Sequence, residues 1–141
     1  MKVTSRSLSR PKPRLSKLVR ELASDMEVEL KLNRSRDNGW AEGAPFNQVS
    51  IPFNLSQIGI MVGLHELAHI SNGDCIIFSK RWEVKGSKRE AQAWQWAFRA
   101  YRRHFGKLPH RPVLMEVRAR LRAYLRREKK HARSQDVKET H

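Results

Sequence analysis

Cysteine, acid and long apolar runs are all scarce in this chain, and each scarcity excludes something. A single cysteine, Cys75, in 141 residues rules out an intramolecular disulfide and fits a reducing, cytoplasmic setting. The apolar stretch over residues 58–70 is too short for a bilayer span and carries ionisable groups, so no membrane partner is expected. Acid is outnumbered: 14 Asp and Glu stand against 29 Lys and Arg, a formal net charge of +15. Most of the excess lies at the ends. Residues 1–36 hold 10 basic and 4 acidic groups and residues 107–141 hold 11 and 4, leaving 8 and 6 between them. Such an excess can attract nucleic acid, acidic protein surfaces or anionic membranes but says nothing about fold. No internal repeat is visible, and no zinc finger or aromatic RNA-binding signature offers base readout.

The first 20 residues carry seven basic groups and no acid, faintly like a transit peptide. Pro11 and Pro13 would break the amphipathic helix that such a peptide needs. Residues 1–14 therefore read as a solvated basic arm, 15–106 as one domain, and 107–141 as a basic C-terminal helix and tail.

What the chain does contain is His65-Glu66-Leu67-Ala68-His69, an HExxH motif inside an apolar run of helical length. Positions four apart lie one turn apart on the same helical face. His65 and His69 can thus converge on one metal ion, with Glu66 beside the open coordination position as a general base. The bland alternative is a helix that merely carries two histidines and a glutamate. Ile58, Ile60, Met61, Val62, Leu64, Leu67, Ala68 and Ile70 argue against it, because they make the helix apolar nearly all round and so buried. Three ionisable groups in a buried helix need partners. Zinc, as Zn2+, would supply one.

Around the motif the pattern predicts an α+β domain with a short sheet or hairpin. Leu15, Leu18, Val19 and Leu22 have helical spacing, whereas Val28, Leu30 and Leu32 alternate as a half-buried strand does. Residues 33–45, with Asn38-Gly39 and Gly43, read as a loop. Val49, Ile51 and Phe53 give a second strand, which Pro52 puts at an edge or brings to an end. Asn54 or Ser56 can cap the motif helix, and Asn72-Gly73 can terminate it. Cys75 to Phe78 is a short apolar run. Two helices follow. The first runs from near Ser87 to Gly106 on a stripe of Trp94, Ala97, Phe98, Tyr101 and Phe105. The second, about Pro112 to Lys130, has Val113, Val117, Leu121 and Leu125 on one face, and a frayed tail begins at His131.

A catalytic zinc site typically has three protein ligands and an open position. Glu90 is the favoured third. It lies beyond a loop from His69, at the start of the next helix, four residues before Trp94 on the apolar face. A competing reading makes Ser87-Lys88-Arg89-Glu90 a capping box, with Glu90 bonded to the Ser87 amide. Asp74, Cys75 and Glu83 are rival ligands, although a small buried cysteine is more often core. In an HExxHxxGxxH pattern glycine and histidine would occupy positions 72 and 75, where this chain has Asn72 and Cys75. His104 and His110 read as surface groups. Tyr101 shares Glu90's face but stands about 16 Å along the helix, so no oxyanion stabiliser is assigned.

With these residues in place the chain resembles the ImmA/IrrE-type zinc peptidases. The matching pieces are Gln48–Phe53, His65–Ile70 and Glu90-Ala91-Gln92-Ala93-Trp94-Gln95-Trp96-Ala97-Phe98, within roughly residues 15–105. HExxH marks zincins as a class, and the Glu90 segment decides the family. Ala91 to Ala97 departs from the family by including two tryptophans, and the basic C-terminal helix matches no family element. ArdC-type antirestriction proteins, which pair a similar domain with single-strand DNA binding, are near relatives in pattern. The resemblance implies a zincin-like fold and cleavage of a regulatory, often DNA-bound, protein.

Two functional expectations follow. In the first, His65, His69 and Glu90 hold zinc, Glu66 is the catalytic base, and a protein substrate adds as a strand along Gln48–Phe53. The alternative is an antirestriction-like nucleic-acid-binding protein with a structural or vestigial zinc site. Its contacts would be Arg118, Arg122, Arg126, Arg127 and Lys130, helped by Arg120, Lys129 and, in the arm, Arg6, Arg10, Lys12 and Arg14. The two expectations are compatible, and a solvated helix face is the plain reading of the same charges.

Overall fold

The computed structural model describes residues 12–35, 37–42, 47–52, 56–76 and 80–139. Expectations for the arm before Lys12, for the stretch 43–46, and for Phe53, Asn54, Ile77 and Phe78 lie outside the described residues. The fold is α+β. Helix α1 (Lys12–Asp25) leads into strand β1 (Glu29–Asn33), then β2 (Trp40–Glu42) and β3 (Gln48–Pro52). Helix α2 (Gln57–Ser71), a short 3-10 turn (Lys80–Glu83), α3 (Gly86–Phe105) and α4 (Arg111–Glu139) complete it.

The sheet has the order β1-β3-β2. β1 runs parallel to β3, with Leu30 opposite Val49, and β2 runs antiparallel, with Ala41 opposite Val49. β3 is therefore central, which corrects the edge expectation and removes Gln48–Pro52 as a free edge for a substrate strand. Pro52 is tolerated because the strand ends on it. Among the described residues the free edges belong to β1 and β2. Strand β2 itself falls within the expected loop, being too short for alternation to register in the sequence.

α2 forms the centre of the molecule and packs on β3, α1 and α3. Met61, Leu64 and Leu67 are wholly buried, and they join Val49, Ile51, Val19, Trp94, Ala97, Tyr101 and Val117 in one core. α4 then packs back on α3 through Val117, Val113 and Leu121. Leu125 is 41% exposed, so it leaves the expected apolar face. Each step of four residues advances about 40° around a helix, and by Leu125 the inward position has passed to Tyr124. The helix also continues through residues 131–139 where a frayed tail was expected, since no glycine or proline interrupts it. Among the described residues no helix is long and apolar enough to cross a membrane.

Candidate metal centre

Ser56 starts α2 by accepting a 3.1 Å hydrogen bond from the Gly59 amide at its side-chain oxygen. Asn72 ends the helix, and Gly73 turns away at φ +77°, a left-handed geometry that suits glycine. Between these stops His65 and His69 stand one turn apart and turn toward α3. The His65 ring stacks on Trp94 with centroids 4.0 Å apart and 19° between planes, which fixes its orientation.

Each histidine has a carboxylate at its Nδ1. Glu66 Oε2 lies 3.1 Å from His65 Nδ1, and Asp74 Oδ2 lies 2.9 Å from His69 Nδ1. With Nδ1–H donating to a carboxylate, each ring presents an Nε2 lone pair on its other side. Both Nε2 atoms meet Glu90: Oε1 is 3.3 Å from that of His65, and Oε2 abuts that of His69. The His65 contact misses hydrogen-bond geometry, so Nε2 is a buried nitrogen with no hydrogen bond. His65, His69 and Glu90 offer ligand atoms within 4.8 Å of one another and are the group among the described residues able to hold a metal. Two imidazoles and one carboxylate are a donor set that suits zinc.

Glu90 can point inward because it does not cap its own helix. The Ser87 amide donates instead to Glu128 Oε2 on α4, at 3.0 Å, which overturns the capping-box reading. The Ser87 hydrogen bonds, with the nearby charges of Lys85 and Arg89, hold the Glu128 carboxyl below its ordinary range.

The electrostatics favour positive charge at the point where the three groups meet. Burial would lower the His65 pKa, but the carboxylates of Glu66 and Glu90 outweigh it and raise the value to about 9. His69 also moves up: burial opposes the rise, while Glu90 and Asp74 drive it against the repulsion of His65. Burial pushes the Glu90 carboxyl up, yet the two histidines prevail and take it well below the usual range. Protons on the imidazoles or a bound cation would each answer these shifts.

Among the rival ligands, Asp74 stands behind His69 rather than beside it. Its second oxygen accepts a 2.8 Å hydrogen bond from Arg81 Nε, and Arg81 also donates to Gln92 on α3. That chain of bonds ties α2, the 3-10 turn and α3 together behind the ligands. Cys75 lines the cleft but is outside the ligand group, and burial, then the charges of Asp74 and Glu66, raise its thiol pKa. Glu83 is exposed, as are His104 and His110. Tyr101 is buried against Phe105, away from the cleft.

The three groups sit in a cleft of about 640 Å³. One wall is the loop into β2. Here Gly39 lies so close that a Cβ would stand 2.6 Å from the Ser50 carbonyl oxygen and 3.1 Å from Glu66 Cγ. The opposite wall is α4, through Arg120, Leu121, Ala123, Tyr124 and Arg127. Arg120 crosses to the first wall, meeting the Asp37 carboxylate at 3.1 Å and donating to its carbonyl oxygen at 3.0 Å. All five of the expected basic contacts are exposed, but Arg127 parts from its companions by bordering the cleft, which Arg118, Arg122, Arg126 and Lys130 do not. Asp74 as a support, Trp94 as a stacking partner and Tyr124 as a wall were not assigned these roles from sequence. Only Asp74 left a signal, as an acid five residues after His69. Compared with known proteins, the chain matches no family model, no curated protein and no solved structure.

Proposed function

We propose that this chain is a zinc-dependent peptidase, zincin-like and of the ImmA/IrrE type, acting on a regulatory protein. The observation that carries the reading is the meeting of two Nε2 atoms and the Glu90 carboxylate beside Glu66 in an open cleft. Zinc held by His65, His69 and Glu90 would supply a Lewis acid able to polarise a peptide carbonyl and acidify a water. Glu66 takes the proton of the attacking water as the carbon–oxygen bond forms. It then gives a proton to the leaving nitrogen as the carbon–nitrogen bond breaks. Asp74 and Trp94 hold the two imidazoles in position, so the ligands need little reorganisation. An extended substrate would add to the free edge of β2, whose Trp40 and Ala41 border the cleft.

Glu66→Gln tests this directly. The variant should keep one zinc per chain and lose peptide cleavage, because an amide cannot accept the proton. Full activity in Glu66→Gln, on any peptide the native chain cleaves, would end the proposed mechanism.

A second reading, nucleic-acid binding, rests on a different observation. Arg118, Arg122, Arg126 and Lys130 follow one another at four-residue intervals on exposed turns of α4, away from the cleft. Basic groups in such a row can neutralise successive phosphates without reading bases. A peptidase acting on DNA-bound proteins could use both surfaces.

A further inference from the structure

Peptide cleavage needs a hydrogen-bond donor for the carbonyl oxygen, which turns negative as water adds to the carbon. Of the cleft's donors, Arg120 is held by Asp37 and Glu116, and Arg89 already acts on Glu128. Arg127 and Asn38 are exposed. Tyr124 differs from all of them. It borders the same cleft as the three ligand groups and is half-buried. Among the described residues its hydroxyl makes no hydrogen bond.

Two anchors set where that hydroxyl lies. One helical turn before Tyr124, Arg120 ties α4 to Asp37, and one turn after it Glu128 ties α4 to the Ser87 amide. The Arg127 guanidinium lies 5.7 Å over the ring and covers one face. The hydroxyl end meets α3 at Gly86, where a Cβ would stand 2.5 Å from the phenol oxygen. That oxygen therefore occupies the place of a residue-86 side chain. Glu90 follows four residues on, on the same helical face, where Cβ positions are about 5–6 Å apart. Side chains in a helix lean toward its N-terminus, so the Glu90 carboxylate reaches back toward the phenol. The histidines, and not Tyr124, are the hydrogen-bond partners of Glu90 among the described residues. The hydroxyl thus stands beside the ligand group without being spent on it.

We propose that Tyr124 is a catalytic residue of the peptidase, donating its O–H to the substrate carbonyl oxygen while Glu66 acts on the water. The assignment rests on the peptidase reading. As the water oxygen bonds to the carbonyl carbon, the π pair moves onto the carbonyl oxygen and the water proton goes to Glu66. The Tyr124 hydrogen bond strengthens at that moment, since an ionised acceptor makes such a bond about twice as strong as a neutral one. The phenol keeps its proton throughout. When the carbon–nitrogen bond breaks, the pair returns to the carbonyl and the hydrogen bond relaxes. In this way α4 supplies a working group of the site, held in place before the substrate arrives.

Tyr124→Phe tests the hydroxyl alone, because it keeps the ring that packs against Gly86. The assay uses the full-length, zinc-loaded chain and a peptide that the native protein selects from a mixed library by cleaving it. The variant should keep one zinc per chain and the native Tm. Its kcat should fall about a hundredfold, the lower cost of removing one oxyanion donor, with KM little changed. Binding gives a second readout. A phosphonamidate peptide, tetrahedral and anionic in place of the scissile amide, should bind Tyr124→Phe about a hundredfold more weakly than the native protein, in step with kcat. The matching amide peptide should bind Glu66→Gln and the Glu66→Gln/Tyr124→Phe double variant alike. Native kcat and native phosphonamidate affinity in Tyr124→Phe would overturn the assignment and leave the peptidase reading intact. Equal losses for the two ligands, or loss of zinc or of the native Tm, would make the hydroxyl structural and overturn it as well. If the native zinc-loaded chain cleaves no member of the library, the peptidase reading itself fails and takes this assignment with it.

Discussion

Glu128 on α4 caps helix α3 by accepting the Ser87 amide at 3.0 Å, and this one contact decides what Glu90 can do. The Ser87–Glu90 spacing fits a local capping box, and had that formed, the Glu90 carboxylate would be spent on a backbone amide. With the amide satisfied from another helix, Glu90 turns to His65 and His69. The basic C-terminal helix therefore belongs to the construction of the candidate site.

Substituting the two glutamates should separate their roles. Glu128→Ala is expected to lower the Tm by a few degrees, as loss of a cap does, and to weaken zinc binding without abolishing it, because the freed Ser87 amide then competes for Glu90. Glu90→Ala should lose stoichiometric zinc. Metal analysis beside thermal denaturation checks both, and near-full zinc in Glu90→Ala would return the ligand role to Asp74, Glu83 or Cys75.

Asp74→Asn should retain zinc at saturation but bind it roughly 10- to 100-fold more weakly, the usual cost of losing a ligand's supporting carboxylate. Chelation of the native protein should lower its Tm, since a ligand at 100 times its Kd adds about 2.7 kcal/mol to the folded state. Competition with a chromogenic chelator measures the first effect and a melting curve the second. Unchanged affinity in Asp74→Asn would mean that His69 is oriented without it.

How much of this was legible in the sequence follows the range of the interactions. The motif helix was readable because its apolar residues, its Ser56 cap and its Asn72-Gly73 stop are all local. β2 was not, since three residues carry no period and the strand exists only through its pairing with β3. The α4 wall was also hidden. Arg120 reaches Asp37 and Tyr124 reaches Gly86 across long stretches of chain, and nothing in the local pattern of α4 announces either contact. Where a local signal competed with a tertiary partner, as at Ser87, the tertiary partner won.

Gly39→Ala should disturb the base without touching the ligands. The added methyl would sit 2.6 Å from the Ser50 carbonyl oxygen and 3.1 Å from Glu66 Cγ, so backbone or side chain must move. Overpacking of this kind costs about 1–3 kcal/mol. Denaturant unfolding should show that loss, and peptide cleavage should fall while zinc content stays at the native level. A variant of native stability and activity would mean that the loop before β2 is free to retreat from α2.

The two basic surfaces of α4 can be told apart by salt. Replacing Arg118, Arg122, Arg126 and Lys130 with glutamine should weaken binding to a random-sequence oligonucleotide and flatten its salt dependence. On duplex DNA each lost phosphate contact removes about 0.9 from the slope of log K against log salt. Zinc content and peptide cleavage should not change, because these residues do not border the cleft. Little sequence preference is expected, since an arginine row on an exposed helix contacts phosphates rather than base edges. If the native chain shows no affinity for DNA or RNA at low salt, the outer row is a solvated or protein-facing surface. If the fourfold variant loses peptide cleavage instead, the outer row acts on the cleft and the division of α4 into two surfaces fails.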